Sequence, residues 1–122
     1  MAKTKDVLTE LLDKEGWEYH NLLPRTRGKS RSSVIISLIK RDIKLIRFAT
    51  RHKVDLMAGS DACLAHAGKM LGIKCITTLE DDYFVIKNLA NLTYPYTSTL
   101  LVPDVTDVGK WTSKKVGYQG YM

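Results

Sequence analysis

Val54-Asp55-Leu56-Met57-Ala58 is a short apolar run that stops at Gly59-Ser60-Asp61; small residues then fill Ala62–Leu71, Gly72 interrupts, and Ile73-Lys74-Cys75-Ile76-Thr77-Thr78-Leu79 closes in Glu80-Asp81-Asp82. This stretch reads strand, polar turn, helix, strand. Two strands joined by a helix in so short a span form a βαβ unit, whose connection is a right-handed crossover between parallel strands. Ligands of such sheets bind outside the carboxyl ends of the strands. Gly59, Ser60 and Asp61 fall at that edge after the first strand, and Glu80, Asp81 and Asp82 fall there after the second. These residues are the first candidates for chemistry, on an architecture that hosts many activities.

Working outward, residues 5–15 read as a helix, because Val7, Leu8, Leu11 and Leu12 recur at the i, i+3, i+4 spacing. Gly16 is a suitable stop, and residues 17–22 read as a strand. Residues 32–52 read as a long helix. Placed at about 100° per residue, Leu38, Leu45, Ala49, Ile35, Ile36, Ile39, Ile43 and Ile46 share one broad side. Lys40, Arg41, Lys44, Arg47 and Arg51 share the other. Asp42 falls inside the apolar arc, where a carboxylate requires a partner. A helix beginning at Asp81 or Asp82 and running to Leu92 follows, with Pro95 forbidding its continuation. Residues 98–103 form a further strand, 104–112 a loop with a short helical turn, and 115–120 a last strand. The expected class is α/β: a mostly parallel, partial Rossmann-like sheet flanked by helices, in a single domain over 1–122.

The 122 residues suffice for one domain with a core, and 44% hydrophobic with 26% charged residues is ordinary for a globular protein. No apolar run approaches a membrane span, and the N-terminal residues do not read as a secretory signal. Cys63 and Cys75 lack close spacing and read as buried thiols of a reducing compartment, so a cytoplasmic location is expected. The net charge of +6 concentrates in the loop carrying Arg25, Arg27, Lys29 and Arg31 and on the basic helix face. That face reads either as a solvated surface or as a contact for an anionic membrane surface, at the inner face, or for an acidic protein. Aromatic residues do not interleave with the basic ones and no nucleic-acid signature is present, so nucleic acid is not an expected partner.

Ser60 and Asp61 read as helix N-caps as well as site residues. Glu80, Asp81 and Asp82 read as first-turn helix acids, a general base or a metal set. Consecutive carboxylates rarely converge on one ion and no histidine has ligand spacing, so neither a metal nor a cofactor is expected. His66, among alanines, reads as a packing histidine. There is no glycine-rich phosphate loop and no nucleophile elbow.

Four segments carry a resemblance: His52-Lys53-Val54-Asp55-Leu56-Met57-Ala58-Gly59-Ser60, Ala67-Gly68-Lys69-Met70-Leu71-Gly72-Ile73, Leu92-Thr93-Tyr94-Pro95-Tyr96 and Gly117-Tyr118-Gln119-Gly120-Tyr121. In order and spacing they resemble domain-of-unknown-function family 354, whose members are expected to be glycosyltransferases of the two-domain GT-B type. They are more distantly similar to the N-terminal half of UDP-N-acetylglucosamine 2-epimerases. The resemblance spans about residues 3–122 and implies an N-terminal GT-B domain without its first strands and without the second domain. A gap in the sheet would then leave the strand at 54–58 with an open edge, unless residues 17–22 pair with it directly, and self-association through that edge would follow. It further implies that Gly59, Ser60, Asp61, Glu80 and Asp81 border a cleft for a sugar or sugar-nucleotide substrate, with Glu80 as acid or base. The isolated chain would be inert without the donor half. Where the family carries Thr-Glu-His, this chain has Glu80-Asp81-Asp82-Tyr83, so no histidine role carries over.

Overall fold

The computed structural model describes residues 7–20 and 31–120. The elements run α1 (Val7–Lys14), α2 (Arg31–His52), β1 (Leu56–Gly59), α3 (Ala62–Leu71), β2 (Lys74–Thr78), α4 (Lys87–Thr93), β3 (Thr99–Pro103), a 3₁₀ segment (Gly109–Lys114) and β4 (Lys115–Tyr118). They fall into two units, Met1–Leu45 and Ile46–Met122.

In the second unit the four strands form one parallel sheet in the order β1-β2-β3-β4. Each crossover steps one strand in the same direction, and right-handed crossovers then place successive helices on one face. Alternation along the strands shows which face that is. Met57, Cys75, Thr77, Leu100 and Val102 are buried, and the register puts them on one side. Gly68 of α3 lies against it so closely that a Cβ there would stand 3.0 Å from the Ile73 carbonyl oxygen and 3.1 Å from the Cys75 Cβ. Further along the same face, Leu79, Ala90, Tyr94, Leu100, Val102 and Val108 form the core, with Tyr83, Ile86, Leu89 and Trp111 packed around them. The opposite face carries Leu56, Ile76, Leu101 and Val116, of which Leu56 and Val116 are half exposed. The architecture is α/β and Rossmann-like, as the sequence predicts.

Local chemistry explains where the elements start and stop. Asp61 caps α3 by accepting from the Cys63 N–H at 3.2 Å. Gly72, with φ 70°, closes the other end by donating to the Gly68 carbonyl. Gly16 (φ 68°) and Trp17 end α1 by the same device: Gly16 N–H donates to Asp13 O at 3.2 Å and Trp17 N–H to Leu12 O at 2.9 Å. Cys63 and Cys75 are free and buried.

Four expectations are corrected. Residues 17–20 are irregular rather than a strand. The α1 stop consumes the Trp17 N–H, and Trp17 is 69% exposed. Among the described residues of the second unit, β1 pairs only with β2. The first strand begins at Leu56 rather than Val54, because Lys53 turns through φ 50° and Val54 N–H bonds back to the Ala49 carbonyl at 3.1 Å. The helix after β2 begins at Lys87, so Asp81 and Asp82 are not first-turn acids. The turn before it is tied instead to the loop after β3, through Asp107 N–H to Asp82 Oδ1 and Tyr83 N–H to Asp107 O, both at 2.7 Å.

The last correction concerns α2. Leu45 and Ala49 are buried, but Ile35, Ile36, Ile39 and Ile43 are 45–60% exposed, so the buried seam is narrower than the apolar arc. Asp42 is half-buried and does not lack interaction partners. On the basic side Lys40, Lys44, Arg47 and Arg51 are exposed, whereas Arg41 is half-buried and does not belong to the outer face. The expected roles of Asn21, Leu22, Arg25, Arg27, Lys29 and Tyr121 fall outside the described residues.

Candidate functional site

The carboxyl edge of the sheet gathers the end of β1 (Gly59), of β2 (Thr78), of β3 (Pro103) and of β4 (Tyr118). Because Gly59 pairs with Thr77 in a parallel register, Ser60 and Asp61 emerge beside the segment that carries Glu80 and Asp81. The edge thus brings together the residues that the sequence singles out, but their environments differ.

Gly59 adopts φ 150°, a conformation open to few other residues, and a Cβ there would meet Leu64 Cδ1 at 2.7 Å. Its role is to let the chain turn sharply into α3. Ser60 is exposed; Asp61 is half-buried and occupied as the α3 cap. Asp82 and Asp107 are structural acceptors, the latter taking the Gly109 N–H at 2.8 Å. Glu80 and Asp81 are exposed. The Glu80 backbone carbonyl is held by the Thr106 hydroxyl at 3.1 Å. Lys115 braces the neighbouring loop by donating to Asp104 O at 2.8 Å and Thr106 O at 2.7 Å. The loop backbone beneath Glu80 is therefore fixed while its carboxylate reaches solvent.

Two tyrosines complete the edge. Tyr94 is fully buried, and its hydroxyl finds no hydrogen-bond partner among the described residues. It follows the last residue of α4, and side chains at such positions lean towards the helix N-terminus, here towards the carboxyl edge. Burial pushes its phenol above the ordinary 10.0, and the charges of Asp81 and Asp107 push it further. The Tyr118 hydroxyl is likewise buried without a partner among the described residues, and burial, then the Glu80 charge, raises its pKa. Each hydroxyl thus senses one of the two exposed carboxylates. Each phenol carries a proton that no described residue accepts.

The sequence places Tyr94 and Tyr118 only within the segments that carry the family resemblance, and it misses their buried hydroxyls. The signal that could have found one of them is the position of Tyr94 at a helix end immediately before Pro95. Among the described residues no group of His, Cys, Asp and Glu could hold a metal ion.

The raised phenols have a consequence at high pH. A raised folded pKa means that the folded chain holds protons which the unfolded chain loses above pH 10.0, so stability is fully present below that pH and falls as pH rises through the folded values. Ultraviolet titration should find tyrosines ionising late, together with loss of the fold; Tyr94→Phe should reduce that late fraction.

His66 acts as a tie between α3 and α4. Its Nε2 lies 2.7 Å from the Leu92 carbonyl oxygen, and its ring meets Tyr96 edge-on at 5.0 Å. No helix among the described residues is long and apolar enough to cross a membrane. No protein-family model and no curated protein matches the chain.

Proposed function

We propose that the carboxyl edge is a carbohydrate site, and that the chain is the acceptor-side half of a GT-B-like glycosyltransferase or of a sugar-nucleotide epimerase relative. One observation carries this reading: two exposed carboxylates, Glu80 and Asp81, follow β2 at the carboxyl edge, where Tyr118 ends β4 with a hydroxyl that lacks a hydrogen-bond partner among the described residues. A sugar offers hydroxyl groups that both donate and accept. Carboxylates take the donated protons in charge-assisted bonds and tyrosines donate in return. The resemblance to domain-of-unknown-function family 354 supports the same assignment. Glu80, on the braced loop, is the candidate acid or base, while Gly59, Ser60 and Asp61 form the adjoining wall. The experiment is saturation-transfer NMR with N-acetylglucosamine, an uncharged probe, on the chain and on Glu80→Gln/Asp81→Asn. The reading requires a signal that the double variant abolishes. An equal signal from both proteins would refute it.

A second reading is favoured by α2, where exposed Ile35, Ile36, Ile39 and Ile43 accompany exposed Lys40, Lys44, Arg47 and Arg51. A helix open on both its apolar and basic sides suits the surface of an anionic membrane. Charge reversal at Lys40, Lys44 and Arg47 abolishes binding to phosphatidylserine vesicles on this reading, and leaves it unchanged if the face is merely solvated.

A further inference from the structure

At the opposite, amino end of the sheet an open cleft of about 350 Å³ lies between the end of α3, the start of β2 and the segment entering β3. Lys69, Lys74 and Lys114 line it together with Gly72, Tyr96 and Ser98, and no acidic residue is among its lining. We infer that this cleft binds a small phosphate ester or diphosphate.

The three lysines differ in what they have left to offer. Lys114 spends its ammonium protons on the carbonyls of Tyr94, Pro95 and Thr97, at 2.8, 3.1 and 2.8 Å. It contributes charge and no free donor. Lys69 and Lys74 are exposed, and neither donates a side-chain hydrogen bond to a described residue. Ser98 accepts the Cys75 N–H at 3.0 Å, which leaves its own proton free to donate.

Two helices end close to this cleft, and their carbonyl ends would repel an anion. Part of each end is already engaged. Gly72 and Ile73 donate to Gly68 O at the end of α3, and Lys114 covers the end of α4. The lining itself carries three ammonium groups and no carboxylate. Burial holds the Lys114 ammonium below its usual pKa, and crowding by the like charge of Lys69 adds a smaller push in the same direction. An anion relieves that crowding, and two ammonium groups with a hydroxyl suit a phosphate dianion. The volume leaves space for an organic substituent. This inference is independent of the carbohydrate reading, since the two sites lie at opposite ends of the strands and share no residue.

The probe is inorganic pyrophosphate, titrated at low salt while amide NMR shifts are followed. The wild-type chain should bind it, with shifts at Gly72, Lys74 and Ser98, and with a raised melting temperature. Lys69→Gln/Lys74→Gln, which keeps the aliphatic stems, should weaken binding by about tenfold or more without altering the melt of the unliganded protein. Lys40→Gln/Lys44→Gln on α2 should leave the affinity unchanged. Phosphatidylserine vesicles should fail to displace pyrophosphate, as a concave site for a soluble ligand requires. The inference is overturned if the wild type does not bind, if both lysine pairs weaken binding equally, or if vesicles displace the probe.

Discussion

Truncating Tyr94 to alanine should lower the unfolding free energy by about 4 kcal/mol, the middle of the range for loss of a buried aromatic ring, whereas Tyr94→Phe should leave stability unchanged or raise it by up to about 1 kcal/mol. The ring is fully buried among Leu79, Ala90, Leu100, Val102 and Val108, and it faces Tyr83 at a centroid distance of 6.4 Å. Alanine would leave a cavity in the centre of this cluster. The hydroxyl contributes differently. Buried without a partner among the described residues, it has lost water and regained nothing, so its removal should not weaken the fold. Urea unfolding followed by fluorescence measures both variants, because Trp111 packs at the cluster whereas Trp17 is already exposed. If Tyr94→Phe instead lost as much as a buried hydrogen bond supplies, the hydroxyl would have a structural partner and no reason to await a ligand. A group kept at a cost to stability is what a binding edge would show.

Lys114→Met should cost about 3 kcal/mol. Its ammonium closes three carbonyls around the end of α4 and the segment entering β3; a hydrogen bond to a charged donor contributes about 1.5–3 kcal/mol net, and the partial exposure of Lys114 keeps the three together near the value of one or two such bonds. The last carbonyls of a helix have no internal donors, and Pro95 can supply none. The ammonium also stands 5.1 Å from the Trp111 ring centroid, which adds a smaller cation–π contribution. Lys110 isolates that contribution: it lies 5.2 Å from the same ring and its ammonium holds no carbonyl among the described residues. Lys110→Met should change stability by less than about 1 kcal/mol. Equal losses in the two variants would assign the effect to the ring and refute the carbonyl clamp.

The contrast between these lysines shows what a sequence can and cannot convey. α3 was legible to the residue, because Asp61 and Gly72 are local signals and a helix needs only local partners. The parallel strands were legible from their apolar runs. The segment 17–20 alternates like a strand, yet a strand exists only when another lies beside it. The start of α4 was misplaced because Asp82 serves a loop 25 residues away, a contact that leaves no trace in periodicity. Similarly, Lys114 and Lys115 look alike in sequence, but one clamps the amino edge and the other braces the carboxyl edge.

For the candidate site, the edge and its carboxylates were legible because topology fixes where strands end. Their separation into roles was not. Asp61, Asp82 and Asp107 are committed to backbone donors, whereas Glu80 and Asp81 are exposed. The two buried tyrosine hydroxyls depend on side-chain direction, which spacing alone does not reveal.

The measurement that tests the central claim most directly is an amide NMR titration of the chain with N-acetylglucosamine. The carbohydrate reading predicts shifts confined to the carboxyl edge, at Ser60, Glu80, Asp81, Thr106 and Tyr118, which disappear in Glu80→Gln/Asp81→Asn. Shifts elsewhere on the sheet unit, or none at all, would contradict it.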